Sequence, residues 1–209
     1  MNIFHAITGP ISVNTWGIPL DSGRLMIVDP GGEVDKIIAY IEEQGSTLSV
    51  IVCTHGHLDH ILALPALSRR YPDAHIAIHP RDAAFLGAGA AERHRVFFNA
   101  LGAFGLVEPY LEEMPPANLL LSGESRLLDT PWQVLHTPGH SPGSVCLYHP
   151  DEKILISGDT LFKNGFGRTD APGGNWSDLE KSLACLRTLP EETLVLPGHG
   201  PQTTIGSEY

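Results

Sequence analysis

Apolar residues in this chain come in short blocks, and each block ends at glycine, proline, aspartate or histidine. Residues 13–18 and 25–28 read as two strands of a hairpin around Asp21-Ser22-Gly23, closing on Asp29-Pro30-Gly31-Gly32. Val34, Ile37, Ile38 and Ile41 then recur at helical spacing, and Gly45 is placed to end that helix. Residues 49–53 form an apolar run of strand length. Pro65 suits the first turn of a helix reaching Arg70, since a proline there gives up no internal hydrogen bond. Residues 75–79 return to strand. Within residues 87–116 the pattern weakens, although Phe97, Leu101 and Phe104 fit one helix face, packed on the core or walling a pocket. Strand-like runs continue to Ile156, followed by a glycine-rich loop over residues 165–174. Ser177 and Glu180 then match a capping box that opens a helix with the stripe Leu179, Leu183, Leu186 and a stop at Pro190. A last strand ends at His199. Two groups of strands, each interleaved with helices, predict an α/β fold arranged as a four-layer αββα sandwich.

Composition narrows the classes. The chain has 209 residues, 42% hydrophobic and 18% charged, enough to bury one core, so residues 1–209 are expected to form a single domain. No apolar stretch approaches the roughly 20 residues that span a bilayer, and the first ten residues have neither a basic start nor a small-residue cleavage pattern. A cytoplasmic location is expected, with no membrane partner. Twenty-four acidic residues against 13 basic give a net charge of −11, which repels phosphate backbones, so no nucleic-acid partner is expected. Cys53, Cys146 and Cys185 lie in apolar segments without close pairing, the pattern of buried reduced thiols.

The chemistry is concentrated in Thr54-His55-Gly56-His57-Leu58-Asp59-His60, with His140, Asp159 and His199 far downstream. Each downstream residue follows a short apolar run, at 132–135, 154–156 and 194–196, as if strands delivered them to one common edge. Imidazole and carboxylate without thiolate suit zinc first, with iron or manganese as alternatives. The alternation in His55-Gly56-His57 lets two imidazoles reach one ion, while Asp59 and His60 face a second. Two divalent ions per chain with open positions would acidify a shared water to hydroxide near neutral pH and polarise a carbonyl. The remaining histidines at 5, 75, 79, 94, 136 and 149 are read as hydrogen-bonded strand-end residues.

On these motifs the chain resembles the metallo-β-lactamase-fold hydrolases, and within them the glyoxalase II-like (hydroxyacylglutathione hydrolase-like) thioesterases, from about Val13 to Gly200. The resemblance implies that His55, His57 and His140 hold one metal, that Asp59, His60 and His199 hold the other, and that Asp159 bridges them. It makes Asp59 and Asp159 the candidate catalytic carboxylates. It places Asp29 behind the ligands, and residues 167–174, with Arg168 and Asp170, in the loop that shapes the metal cleft. The family often has glycine where this chain has Leu62 and Ala63, and its glutathione-holding helical domain follows the last histidine, where this sequence has only residues 200–209.

The expected activity is therefore hydrolysis of small acyl thioesters such as S-lactoylglutathione, with loose selectivity for the thiol carrier. An iron-dependent persulfide dioxygenase, which shares the Gly-Arg-Thr-Asp type of loop, is the alternative from another class, and a lactone or ester hydrolase the alternative within the fold. Action on β-lactams is disfavoured by Asp159, where zinc enzymes acting broadly on lactams usually carry cysteine or another ligand. A metal-stabilised binding module would need closed coordination. Pairing of two chains through an exposed face over residues 97–104 is a further expectation.

Overall fold

A computed structural model describes residues 2–123 and 125–209. Met1, which begins the segment read above for a leader, lies outside them. Strands β1 (Phe4–Thr8), β2 (Val13–Pro19), β3 (Arg24–Val28), β4 (Thr47–Val52), β5 (His75–Ile78) and β6 (Leu119–Leu120) form the first sheet in that order. The second sheet contains β7 (Ser125–Arg126), β8 (Gln133–His136), β9 (Val145–His149) and β10 (Ile154–Gly158), then β13 (Leu194–Pro197) and β14 (Thr203–Thr204). A small ribbon of β11 (Leu161–Phe162) and β12 (Gly165–Phe166) stands apart from both. Helices α1 (Val34–Glu43), α2 (Leu64–Arg70), α3 (Ala90–Ala100), α4 (Phe104–Val107), α5 (Trp176–Leu186) and α6 (Ile205–Glu208) complete the chain.

Side-chain alternation along the strands builds the layers. On β3, Leu25 and Ile27 point toward the helices, whereas Met26 and Val28 point toward the other sheet. β10 divides likewise, with Ile154 and Ile156 between the sheets and Leu155 under α5 beside Leu186. Because the strand period is two, a strand covered on both faces must be apolar throughout, which is why these segments read as unbroken apolar runs. Three apolar layers result, helix on sheet, sheet on sheet, and sheet on helix, which is the expected αββα arrangement.

Strand direction then positions the site. β3, β4 and β5 are mutually parallel, so their C-terminal ends share one edge. β10 and β13 are parallel, and β8 runs the same way because both β8 and β10 are antiparallel to β9. The two edges meet where Val13 bridges His199 and the Val145 N–H donates to the Thr54 carbonyl at 2.9 Å.

Several local expectations are corrected. α5 is capped by Asn175, whose side chain accepts from the Asp178 N–H, so Ser177 lies inside the helix. Phe97, Leu101 and Phe104 do not share one helix: α3 ends at Ala100, and Gly102, at φ +66°, turns the chain into α4. Phe97 and Phe98 are buried, which removes them from any exposed pairing face. Cys53 and Cys146 are buried free thiols as expected, but Cys185 is exposed. Gly45 does follow α1, at φ +57°. Ala63 keeps a right-handed backbone and donates to the Pro30 carbonyl at 2.9 Å, so the start of α2 needs no glycine. Among the described residues no helix is long and apolar enough to cross a membrane.

Candidate metal centre

The turn after β4 carries His55, His57, Asp59 and His60, the last two in a short 3-10 turn over Leu58–His60. Gly56 is required there, because a Cβ would stand 2.5 Å from the Phe85 ring. His140 follows β8, Asp159 follows β10 and His199 follows β13, as their spacing predicted. All seven candidates come together in three overlapping groups: His55, His57 and His140; His55, His60 and Asp159; and Asp59, His60 and His199. Within each group the ligand atoms lie within 4.8 Å of one another.

Hydrogen bonds from behind set the direction of these rings. The Thr54 hydroxyl donates to Asp29 Oδ2 at 2.7 Å, so its oxygen accepts from His55 Nδ1 at 3.1 Å, leaving His55 Nε2 as a lone pair turned inward. His60 donates from Nδ1 to Asp29 Oδ2 at 3.0 Å, His140 from Nδ1 to the Arg168 carbonyl at 2.8 Å, and His199 from Nδ1 to the Ser12 carbonyl at 3.3 Å. Their Nε2 atoms all face Asp159, at 3.4, 3.5 and 3.7 Å. His57 differs, since its inward atom is Nδ1, 2.9 Å from His140 Nε2.

Asp29 lies behind the His55-His60 turn, in contact with Thr54 and His60. It is 1% exposed and also accepts the Thr54 N–H at 2.8 Å. Its φ of +50° is a left-handed conformation that aspartate tolerates better than most residues. Arg168 is only partly as expected. Its carbonyl holds His140, but its guanidinium lies over the surface in a two-point pair with Asp170, at 2.7 and 2.8 Å. Gly167 is tightly constrained, as a Cβ there would stand 1.9 Å from the Asp159 carbonyl oxygen.

Sequence reasoning missed Asp82. It is fully buried in the turn after β5, and its carboxylate accepts from the Gly56 N–H at 2.9 Å, the Ser141 hydroxyl at 2.7 Å and the Gly143 N–H at 2.8 Å. One side chain thereby ties the His55-His57 turn to the His140 loop. No side-chain pattern marks it: Asp82 stands four residues beyond the end of β5, whereas Asp29 and Asp159 directly follow β3 and β10.

The electrostatics separate the histidines into two kinds. Burial, reinforced by the other imidazoles, holds His55 well below its ordinary value, and burial with His140 beside it takes His57 down to about 3. Burial acts the same way on His60 but is outweighed by Asp159, Asp59 and Asp29, so His60 is held well above its ordinary value. Burial would raise Asp159, yet His60, His140 and His199 hold it far below the carboxylate range.

Buried polar atoms without hydrogen-bond partners test whether a cation belongs here. His55 Nε2, His60 Nε2 and Asp159 Oδ1 are buried and have no hydrogen-bond partner. Such atoms are costly unless something else completes them. Imidazole nitrogens and carboxylate oxygens converging on one point fit divalent metal ions. A cavity of about 290 Å³ opens beside them, lined by His57, Asp59, His140, Asp159 and His199 on one side and by Phe97, Phe98, Leu101 and Leu106 on the other. The segment 97–106 therefore packs on the core and also walls the cavity.

Comparison with known proteins agrees with this geometry. The Metallo-beta-lactamase superfamily profile matches residues 8–199. The chain is 40% identical over 203 residues to the probable metallo-hydrolase YqgX of Bacillus subtilis, covering 96% of this chain and 90% of that protein. It is 34% identical over 195 residues to hydroxyacylglutathione hydrolase GloC of Haemophilus influenzae, covering 90% and 85%. Among solved structures, the BLEG-1 B3 metallo-beta-lactamase superposes with a TM-score of 0.85 at 34% identity, covering 99% of this chain and 96% of that one. TTHA1623 in a di-iron-bound form gives 0.82 at 35% identity, covering 98% and 96%. Fold, ligand pattern and sequence agree: the chain belongs to the metallo-β-lactamase superfamily and has its α/β fold.

Proposed function

We propose that this protein is a dinuclear metal-dependent hydrolase that cleaves small acyl thioesters, S-lactoylglutathione among them, in the cytoplasm. The observation that carries the reading is the convergence of seven buried or half-buried imidazoles and carboxylates beside a cavity, with the buried atoms His55 Nε2, His60 Nε2 and Asp159 Oδ1 lacking hydrogen-bond partners. His55, His57 and His140 would hold one ion, Asp59, His60 and His199 the second, and Asp159 would stand between them. Divalent ions at such a centre supply an acidified water as nucleophile and polarise the substrate carbonyl. Zinc suits the donor set, and iron is the alternative, in keeping with the di-iron form of TTHA1623. The likeness to hydroxyacylglutathione hydrolase GloC supports the thioester as the bond broken. Free buried thiols at Cys53 and Cys146 support a reducing compartment.

The chain's own residues orient the reaction. Asp29 and the Arg168 and Ser12 carbonyls hold the His60, His140 and His199 rings with Nε2 inward. Asp59 and Asp159 place negative charge where cations are needed. The apolar wall from Phe97 to Leu106 excludes water from the bound acyl group.

The test is elemental analysis of metal-replete protein beside a panel of small thioesters. Two ions per chain and hydrolysis of the panel are expected. One iron per chain, with oxygen consumed on a persulfide substrate and no thioester cleaved, would replace this reading with the dioxygenase.

A further inference from the structure

The cavity beside the candidate ligands has two unlike halves. Its polar lining is His57, Asp59, His140, Asp159 and His199, with Arg168 as the one polar side chain outside the candidate ligands, and that guanidinium is paired with Asp170. The opposite wall is Phe97, Phe98, Leu101, Ala103 and Leu106, all from one segment folded back at Gly102. Ile11 and Ala171 also line it. Among the described residues that line this cavity there is no serine, threonine, asparagine, glutamine or tyrosine. A group reaching away from the centre toward the 97–106 wall therefore meets hydrocarbon, with no hydrogen-bonding side chain on that wall.

We infer that the cavity is an acyl-chain subsite, selecting an unbranched apolar chain of about four to six carbons attached to the reacting carboxyl carbon. This rests on the reading of the site as a hydrolytic metal centre, and it names the substrate class that such a centre accepts. The size follows from the volume. A cavity of about 290 Å³ lies at the small end of ligand sites and holds about ten water-sized groups, of which the carboxyl group and the thioester sulfur use about four, leaving about six for the chain. The chemistry follows from the lining. A hydroxyl beyond the first carbon or two would be desolvated against Leu101 and Phe98 with no partner, whereas each methylene placed there leaves water for an apolar surface. The phenyl ring of Phe97, 4.3 Å from the His57 ring, makes this wall continuous with the ligand cluster. Leu106 is 56% exposed although it lines the cavity, which marks the mouth where the chain's far end would cover it.

Linear carboxylates serve as probes because they need no turnover. Acetate, butyrate, hexanoate and octanoate are titrated into metal-replete protein by calorimetry. Full burial of a methylene contributes about a fourfold gain in affinity, so Kd should fall about two- to fourfold per methylene up to hexanoate and level off at octanoate. Leu106→Gln should flatten the gain from butyrate to hexanoate, whereas Val96→Gln, on the exposed face of α3 away from the cavity, should leave the series unchanged. A flat series, no binding of any chain, or 6-hydroxyhexanoate binding as tightly as hexanoate would overturn the subsite. Cysteamine thioesters of the same acids are assayed in parallel. Chain-length dependence in binding with no thioester cleaved would sink the hydrolase reading and keep the subsite, and cleavage with a flat binding series would do the reverse.

Discussion

Replacing Asp82 with alanine should unfasten the metal centre without touching a ligand. The carboxylate is the hydrogen-bond acceptor for two buried backbone donors, Gly56 N–H and Gly143 N–H, and for the Ser141 hydroxyl. Ser141 keeps a partner in Ser144, 2.8 Å away, but the two N–H groups do not. Each orphaned donor costs about 1–3 kcal/mol, so metal-free Asp82→Ala should lose about 2–6 kcal/mol, a large part of a typical total of about 5–15. Burial holds the Asp82 carboxyl above its ordinary value, and relief of that strain sets the loss toward the lower end. Asp82→Asn keeps one acceptor and should fall between the two, at about 1–3 kcal/mol. Urea unfolding of the chelated protein measures this. The consequence for the centre is directional: Gly56 sits between His55 and His57, and Gly143 lies in the loop of His140, so the three-histidine group should lose about 10–100-fold in metal affinity. The Asp59, His60 and His199 group, oriented by Asp29 and Ser12, should lose far less. Competition with a chromophoric chelator resolves the two affinities. A loss below about 1 kcal/mol with both affinities unchanged would refute the role assigned to Asp82, and an equal fall at both sites would make it a general packing residue.

Other outcomes follow from the same geometry. Asp159→Ala should lower occupancy of both metal positions, because its oxygens lie within 3.4–3.7 Å of His60, His140 and His199, whereas His140→Ala should empty mainly one; elemental analysis after equilibrium dialysis distinguishes them. His94, fully buried and donating to the Phe85 carbonyl at 2.9 Å, is pushed down to about 4 by burial. Between about pH 6.5 and 4 the unfolded chain takes up a proton at this position that the folded chain refuses, so stability falls with decreasing pH across that window, by up to about 3 kcal/mol from this group. Thermal unfolding of chelated protein from pH 7 to 4 should show the loss, and His94→Gln should make the curve shallower; an unchanged slope in the variant would remove His94 from the account.

Much of the fold was legible because strands buried on both faces announce themselves as unbroken apolar runs, as at residues 49–53 and 154–156, and because the ligands sit directly after them. Local frame errors arose where two chemistries competed. Asn175 and Ser177 both offer a capping oxygen, and only the backbone conformation shows that Asn175 stands at the boundary, at φ −150° and ψ 113°. The break at Gly102 was obscured because Phe97, Leu101 and Phe104 keep helical spacing across it, and a glycine inside such a pattern costs a helix only about 1 kcal/mol. Asp82 was invisible for a different reason: its partners are two backbone N–H groups and a serine, which leave no pattern in side-chain identity. Arg168 shows the converse, a side chain that drew attention while its carbonyl makes the contact with His140.

The meeting of β2 with the segment after β13 carries a consequence for how the centre comes into being. Asn14 donates to the carbonyls of Pro197 and Gly200, Trp16 Nε1 donates to that of Pro197, and the Gly198 carbonyl accepts from the Asn14 N–H at 2.7 Å, across some 180 residues of chain. Contacts of such high sequence separation close late, since the intervening loop entropy must be met first. During synthesis the first sheet and its four clustered ligands can be present while His199 has yet to be made. On the two-ion reading proposed above, the position that includes His199 would be completed only once this long-range contact closes.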